Sequence, residues 1–104
     1  MDKLIEKIEE TVIALLQYDM EKYPLLVQEL ADLMALIFPA VIDCYNDPRM
    51  SDLKEDAAYW PGQLERVVDS LNTGDHFEVV DVLYNETHAN LAELRGILTQ
   101  RGLL

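Results

Sequence analysis

Both histidines of the chain, His76 and His88, fall in the stretch GDHFEVVDVLYNETHANLAEL, Gly74 to Leu94, with Asp75, Glu78, Asp81 and Glu86. Imidazoles and carboxylates at close spacing are the raw material of metal sites and of acid–base catalysis. On a helix, two such ligands share an ion at i and i+3 or i+4, as in Glu-x-x-His or His-x-x-x-His. Neither spacing occurs in this chain, and Glu86 and His88 are one residue too close. At 1.5 Å per residue His76 and His88 stand ~18 Å apart on a helix, too far to share an ion. A phosphorelay histidine wants basic and small residues just after it, but FEVVDV follows His76 and ANLAEL follows His88, with no base. The stretch therefore reads as a capped helix with a wet face.

The acids offer a second chemistry. Glu6 and Glu9 are three apart, as are Glu29 and Asp32, so each pair shares a helix face. Four carboxylates meeting across two helices could hold Mg²⁺. The pattern is similar to the Glu-x-x-Glu and Glu-x-x-Asp motifs of the all-α nucleoside triphosphate pyrophosphohydrolases. That resemblance implies an Mg²⁺-dependent nucleotide phosphohydrolase. No lysine or arginine follows the second pair to hold phosphate, so this stands as the alternative reading.

The remaining reactive groups lack partners. Cys44 follows Asp43 and has no nearby base in sequence to lower its pKa. There is no Ser-His-Asp arrangement, glycine-rich phosphate loop or dinucleotide fingerprint. Tyr59 and Trp60, at the WPG break, could form a ligand niche, although an aromatic at a helix break is more often a core plug.

The elements that would position these groups are helical. Ile5, Ile8, Val12 and Leu15 keep a 3-4-3 spacing opposite Lys3, Glu6, Lys7, Glu9 and Glu10, which predicts a helix from Asp2 to about Met20. Pro24 fits the first turn of a second helix. Its stripe runs through Leu26, Leu30, Leu33, Ile37, Val41 and Cys44, with Leu25, Leu36, Phe38 and Ile42 outside it. From Leu33 onward it is apolar nearly all round, with Pro39 expected to kink it. Such a helix is central in its domain or shared with another chain. Ser51 is the expected N-cap of a third helix, bent or split at Trp60-Pro61-Gly62 and closed by Gly74 in the left-handed conformation. Asp75 and Glu78 set out a capping box for a fourth, which runs from His76 to about Arg101. Phe77, Val80, Tyr84, Thr87, Leu91, Leu94 and Leu98 supply its heptad stripe. The expected fold is all-α, an antiparallel four-helix bundle over residues 1–104 as one domain.

Charge sets the partners. The formal net charge is −12, with 20 acids against 8 bases, and Tyr23 to Tyr45 hold no base. Nucleic acid and anionic membranes are poor partners for such a surface. The longest apolar run, LMALIFPAVI, has ten residues against the roughly 20 needed to span a bilayer. One cysteine permits no internal disulfide, and MDKLIEKIEE has no signal-peptide core, so a cytoplasmic protein is expected. GDHFEVVDVLYNE, Gly74 to Glu86, resembles a segment of small uncharacterised all-α proteins of Gram-positive bacteria. That resemblance implies a helical bundle with no assigned activity. The sequence thus points to an acidic interaction module, adaptor- or chaperone-like, that binds another protein or itself. The surface expected to do so is Leu33, Leu36, Ile37, Phe38, Val41 and Ile42, with a homodimer through the second helix as one form.

Overall fold

The computed structural model describes residues 1–104 and is all-α, with no strands. α1 (Asp2–Leu16) buries Leu4, Ile5, Ile8, Thr11, Val12, Ala14 and Leu15 on one side. It stops at Leu16, short of the expected Met20. Tyr18 takes a left-handed backbone conformation, φ 55°, which a residue with a Cβ adopts at a cost. The Asp19 carboxylate then accepts from the Lys22 N–H at 3.1 Å and closes the reversal into α2.

α2 (Tyr23–Cys44) opens with Pro24 in its first turn and contains Pro39. Its buried line is Leu30, Met34, Phe38 and Val41, spaced 4-4-3. The expected stripe lies beside that line: Leu26, Leu33, Ile37 and Cys44 are only partly buried. An almost wholly apolar helix carries several lines of similar quality, and packing chooses among them. Here Phe38 is chosen because its ring meets Trp60 edge-on at 5.7 Å. By length and composition α2 is apolar enough to cross a membrane, with mean hydropathy 1.9 over 18 residues. Only 22 % of that window is buried.

A 3₁₀ stretch follows, Pro48–Ala58, capped by the Asp47 side chain rather than by Ser51. Asp47 accepts from the Arg49 N–H at 2.9 Å, and Pro48 fills the first position, where no N–H is needed. The backbone becomes α-helical at Tyr59, so the change of helical type precedes the WPG triplet. Pro61 then sits in the first turn of α3 (Tyr59–Thr73), where its ring meets no preceding turn of α-helix. Gly74 caps α3 at φ 72°, in the left-handed region open to glycine.

The last helix has three consecutive parts: α4 (His76–Val80), a π segment (Asp81–His88) and α5 (Ala89–Gln100). Asp75 caps it, accepting from the N–H groups of Phe77 and Glu78 at 3.0 and 3.2 Å. The buried residues Val79, Leu83, Thr87 and Leu91 step by four, followed by Leu94 and Leu98. In a regular α-helix three steps of four drift by about 120°. The π segment, whose wider turns take more residues, absorbs that drift. The expected heptad stripe therefore holds only from Thr87 onward. Phe77 and Tyr84 are exposed, and Phe77 shows 89 % of its surface.

One cluster of 19 buried apolar residues joins all these elements, with Val79 supplied by α4 and Leu91, Leu94 and Leu98 by α5. The caps hold the entry to the last helix. Asp75→Ala is expected to cost about 1 kcal/mol, as loss of a side-chain N-cap does, read as a shift in urea midpoint at unchanged m-value.

Candidate functional site

The structure disperses the residues proposed for metal chemistry. Glu9 is hydrogen-bonded to His88 Nε2 at 2.8 Å, and Glu29 accepts from Lys7 Nζ at 2.6 Å. Asp32 accepts from Gln28 Nε2 at 3.2 Å, and Glu6 is exposed. No group of three or more His, Cys, Asp or Glu side chains converges to hold a metal ion. Glu6, Glu9, Glu29 and Asp32, the four acids of the Mg²⁺ reading, form no such group. The Lys7 ammonium lies between Glu10 of α1 and Glu29 of α2. Glu29 first, then Glu10, raises the Lys7 pKa and keeps it charged.

The histidines part as their spacing implied. His88 faces α1 through Glu9 and stacks on Tyr84, with ring centroids 4.8 Å apart. His76 lies at the start of α4 beside Tyr18 and Tyr23, 6.4 Å from each ring. Glu86 turns toward α3, where Arg66 holds it with two hydrogen bonds of 2.8 and 2.6 Å. The Arg66 guanidinium lowers the Glu86 pKa. The Cys44 thiol pKa is raised by burial and then by Asp43 and Asp47, so it is a poor nucleophile at neutral pH.

Of the six residues expected to form an interaction surface, Phe38 and Val41 are core residues, 1 % and 2 % exposed. The chain itself covers them, and the Phe38 ring meets Trp60 of α3. Leu33, Ile37 and Ile42 are half-buried, and Leu36 is 73 % exposed. Leu36, Ile37 and Val41 line one wall of an open groove of about 700 Å³, with Leu98, Leu103 and Leu104 on the other side.

The polar feature that periodicity did not reveal is a chain of hydrogen bonds between α3 and the last helix, exposed at Tyr59 and buried at Gln63 and Thr87. Asn90 Nδ2 donates to the Tyr59 hydroxyl at 2.6 Å, and that hydroxyl donates to Gln63 Oε1 at 2.8 Å. Gln63 Nε2 donates to Thr87 Oγ1 at 2.7 Å, and Thr87 donates onward to the Val82 carbonyl at 2.9 Å. Gln63 and Thr87 are 2 % and 0 % exposed. The last bond reaches back five residues, across the wide turn of the π segment. Such segments interrupt α-helices mostly at functional sites. A polar Gln63 at an α3 position that otherwise faces the core was the available sequence signal.

Beside this chain lies a cavity of about 240 Å³. Tyr45, Tyr59 and Trp60 form its aromatic part, and Asp56, Asn90 and Glu93 its polar part. The Trp60 indole N–H donates to the Tyr45 hydroxyl at 2.9 Å, and Tyr59 and Trp60 meet edge-on at 5.2 Å. Burial raises the pKa of both tyrosines.

No family model, curated protein or solved structure matches this chain. The reading of its function rests on its own geometry.

Two outcomes check this description. Thr87→Val removes the hydroxyl that accepts from Gln63 and is expected to destabilise by about 1–3 kcal/mol in urea unfolding. For Glu86 the folded-state pKa is lowered, so its contribution is present above the unfolded pKa and fades as pH falls through the folded one. Thermal melts across the acidic range should show a shallower loss of stability for Glu86→Gln than for the parent.

Proposed function

We propose that this protein is a small acidic interaction domain, adaptor- or chaperone-like in kind, that pairs with a second copy of itself through the outer face of α2. The observation that carries the reading is the exposure of α2: a 22-residue apolar helix with only 22 % of its most apolar window covered. Water contact along such a face is unfavourable by roughly 25 cal/mol per Å², and a second chain relieves it. The proposal takes the helices as an antiparallel four-helix bundle working in the cytoplasm. The Lys7–Glu29 and Arg95–Asp2 pairs support that arrangement, since they tie the middle of α1 to α2 and the two chain ends to each other.

A second α2 suits this face chemically. Leu33 to Ile42 carry no charge, and Asp32 and Asp43 bracket them. Ala31, Ala35 and Ala40 are exposed and small, so another helix can come close. Leu36 stands out at the edge of the groove that ends at Leu103 and Leu104. A two-fold axis sets each Leu36 toward the partner's groove, and the same patch serves both copies. Two chains of net charge −12 repel at long range, so the dimer strengthens as salt screens that repulsion.

Sedimentation equilibrium at physiological salt tests this. The parent chain is expected to dimerise, and Leu36→Asp to weaken the dimer by roughly tenfold or more with little change in melting temperature. A parent chain that stays monomeric at high concentration overturns the proposal. So does flotation of the parent with zwitterionic lipid vesicles, which would assign the α2 face to a bilayer.

A further inference from the structure

We infer that the cavity between the 3₁₀ stretch, α3 and α5 is a binding site for a protonated alkylamine, either a free small amine or the ammonium end of a lysine side chain. The site is independent of the α2 face. Its walls come from Tyr45 and Asp56, from Tyr59 and Trp60 in the first turn of α3, and from Asn90 and Glu93 on α5.

Size sets the first limit. A cavity of about 240 Å³ falls below the roughly 300–1,000 Å³ that holds a drug-sized ligand. It takes one short chain with a head group.

The hydrogen-bonding inventory selects the head group. The Trp60 N–H is spent on Tyr45, and the Tyr59 hydroxyl is spent on Gln63 and Asn90. The Asn90 amide nitrogen is spent on Tyr59, which leaves its carbonyl oxygen for a ligand. Tyr45 is 5 % exposed, and its hydroxyl accepts from Trp60 but donates to no protein acceptor. Its second lone pair is also unused. Asp56 and Glu93 take part in none of the chain's ion pairs, all of which are accounted for by other carboxylates. Both carboxylates line the cavity and are exposed to solvent. What the cavity offers is therefore two carboxylates, a carbonyl oxygen and a hydroxyl, with no positively charged group among its lining. An anion would meet two carboxylates there and no cation. A primary ammonium has three N–H donors and needs acceptors of this kind.

The aromatic surroundings agree with that choice. The edge-on contact of Tyr59 with Trp60 leaves their faces at nearly a right angle, 82°. Cations are drawn to ring faces, and tryptophan attracts them most strongly. Leu53, Leu94 and Ile97 complete the lining and suit the methylene stem.

Trp60 is the only tryptophan of the chain and lines the cavity, so its emission reports occupancy. The probes are n-butylammonium, Nα-acetyl-lysinamide and neutral 1-butanol, titrated at constant ionic strength, with calorimetry as a second readout. At least one ammonium probe is expected to bind saturably while 1-butanol does not. Asp56→Asn with Glu93→Gln should weaken that binding by roughly tenfold in a chain that melts normally. Tighter binding of the lysinamide assigns the natural ligand to a protein side chain, and tighter binding of butylammonium assigns it to a free amine. The inference is overturned if neither ammonium saturates in either readout, if 1-butanol binds equally, or if the double variant binds as the parent does. Leu36→Asp should leave the titration unchanged, which separates this site from the dimer interface.

Discussion

The hydrogen bond from Gln63 to Thr87 joins α3 to the last helix where neither residue can reach water. An unpaired amide or hydroxyl in that position costs more than the bond itself returns, so the two helices are held in one register rather than merely held together. Thr87 can accept from Gln63 and still donate to the Val82 carbonyl, five residues back. The hydroxyl thus serves the turn that makes the π segment wide. The width lets Val79, Leu83, Thr87 and Leu91 share one side. Packing, register and the polar chain form a single constraint.

Charge is the second organising term, and it acts on what is left outside. Lys7, Arg49, Arg66, Arg95 and Arg101 are each engaged by a carboxylate. Only Lys3, Lys22 and Lys54 remain to offset the unpaired acids. Exposed pairs of this kind contribute little to stability, commonly between 0 and about 1 kcal/mol. Each pair cancels an acid together with a base, so the field seen by a partner remains that of the net charge, −12. It favours cationic ligands and penalises phosphate backbones.

The helical content was legible because α1 and the half of the last helix after Thr87 keep strict α spacing. The caps at Gly74 and Asp75 were legible because their residue types answer specific backbone needs. Three features escaped for physical reasons. A helix as apolar as α2 gives periodicity little contrast, so Phe38 could be assigned to the core only by its contact with Trp60. The end of α1 depends on a left-handed Tyr18, a conformation that no tyrosine signals in sequence. The π segment hides because a spacing pattern read at 3.6 residues per turn finds Phe77, Val80 and Tyr84 as easily as Val79 and Leu83. The acidic pairs on α1 and α2 show the converse error. Their spacing placed carboxylates on shared faces, but Lys7 and His88, which spacing alone does not weigh, took Glu29 and Glu9.

The chain of hydrogen bonds also ties the aromatic cavity to the helix beneath it. Tyr59 and Asn90 line the cavity and are the first two members of the sequence that runs through Gln63 to Thr87 and the π segment. Each hydroxyl in that chain both donates and accepts, so its direction of donation is consistent from Asn90 to the Val82 carbonyl. Reversing one member would leave two like groups facing each other in a buried place. The Asn90 amide nitrogen is thereby turned to Tyr59. Tyr45, Asp56 and Glu93 supply the rest of the cavity's acceptors and stand outside this chain. The residues that span the wide turn of the last helix thus hold one wall of the neighbouring cavity in place, through Tyr59 and Asn90.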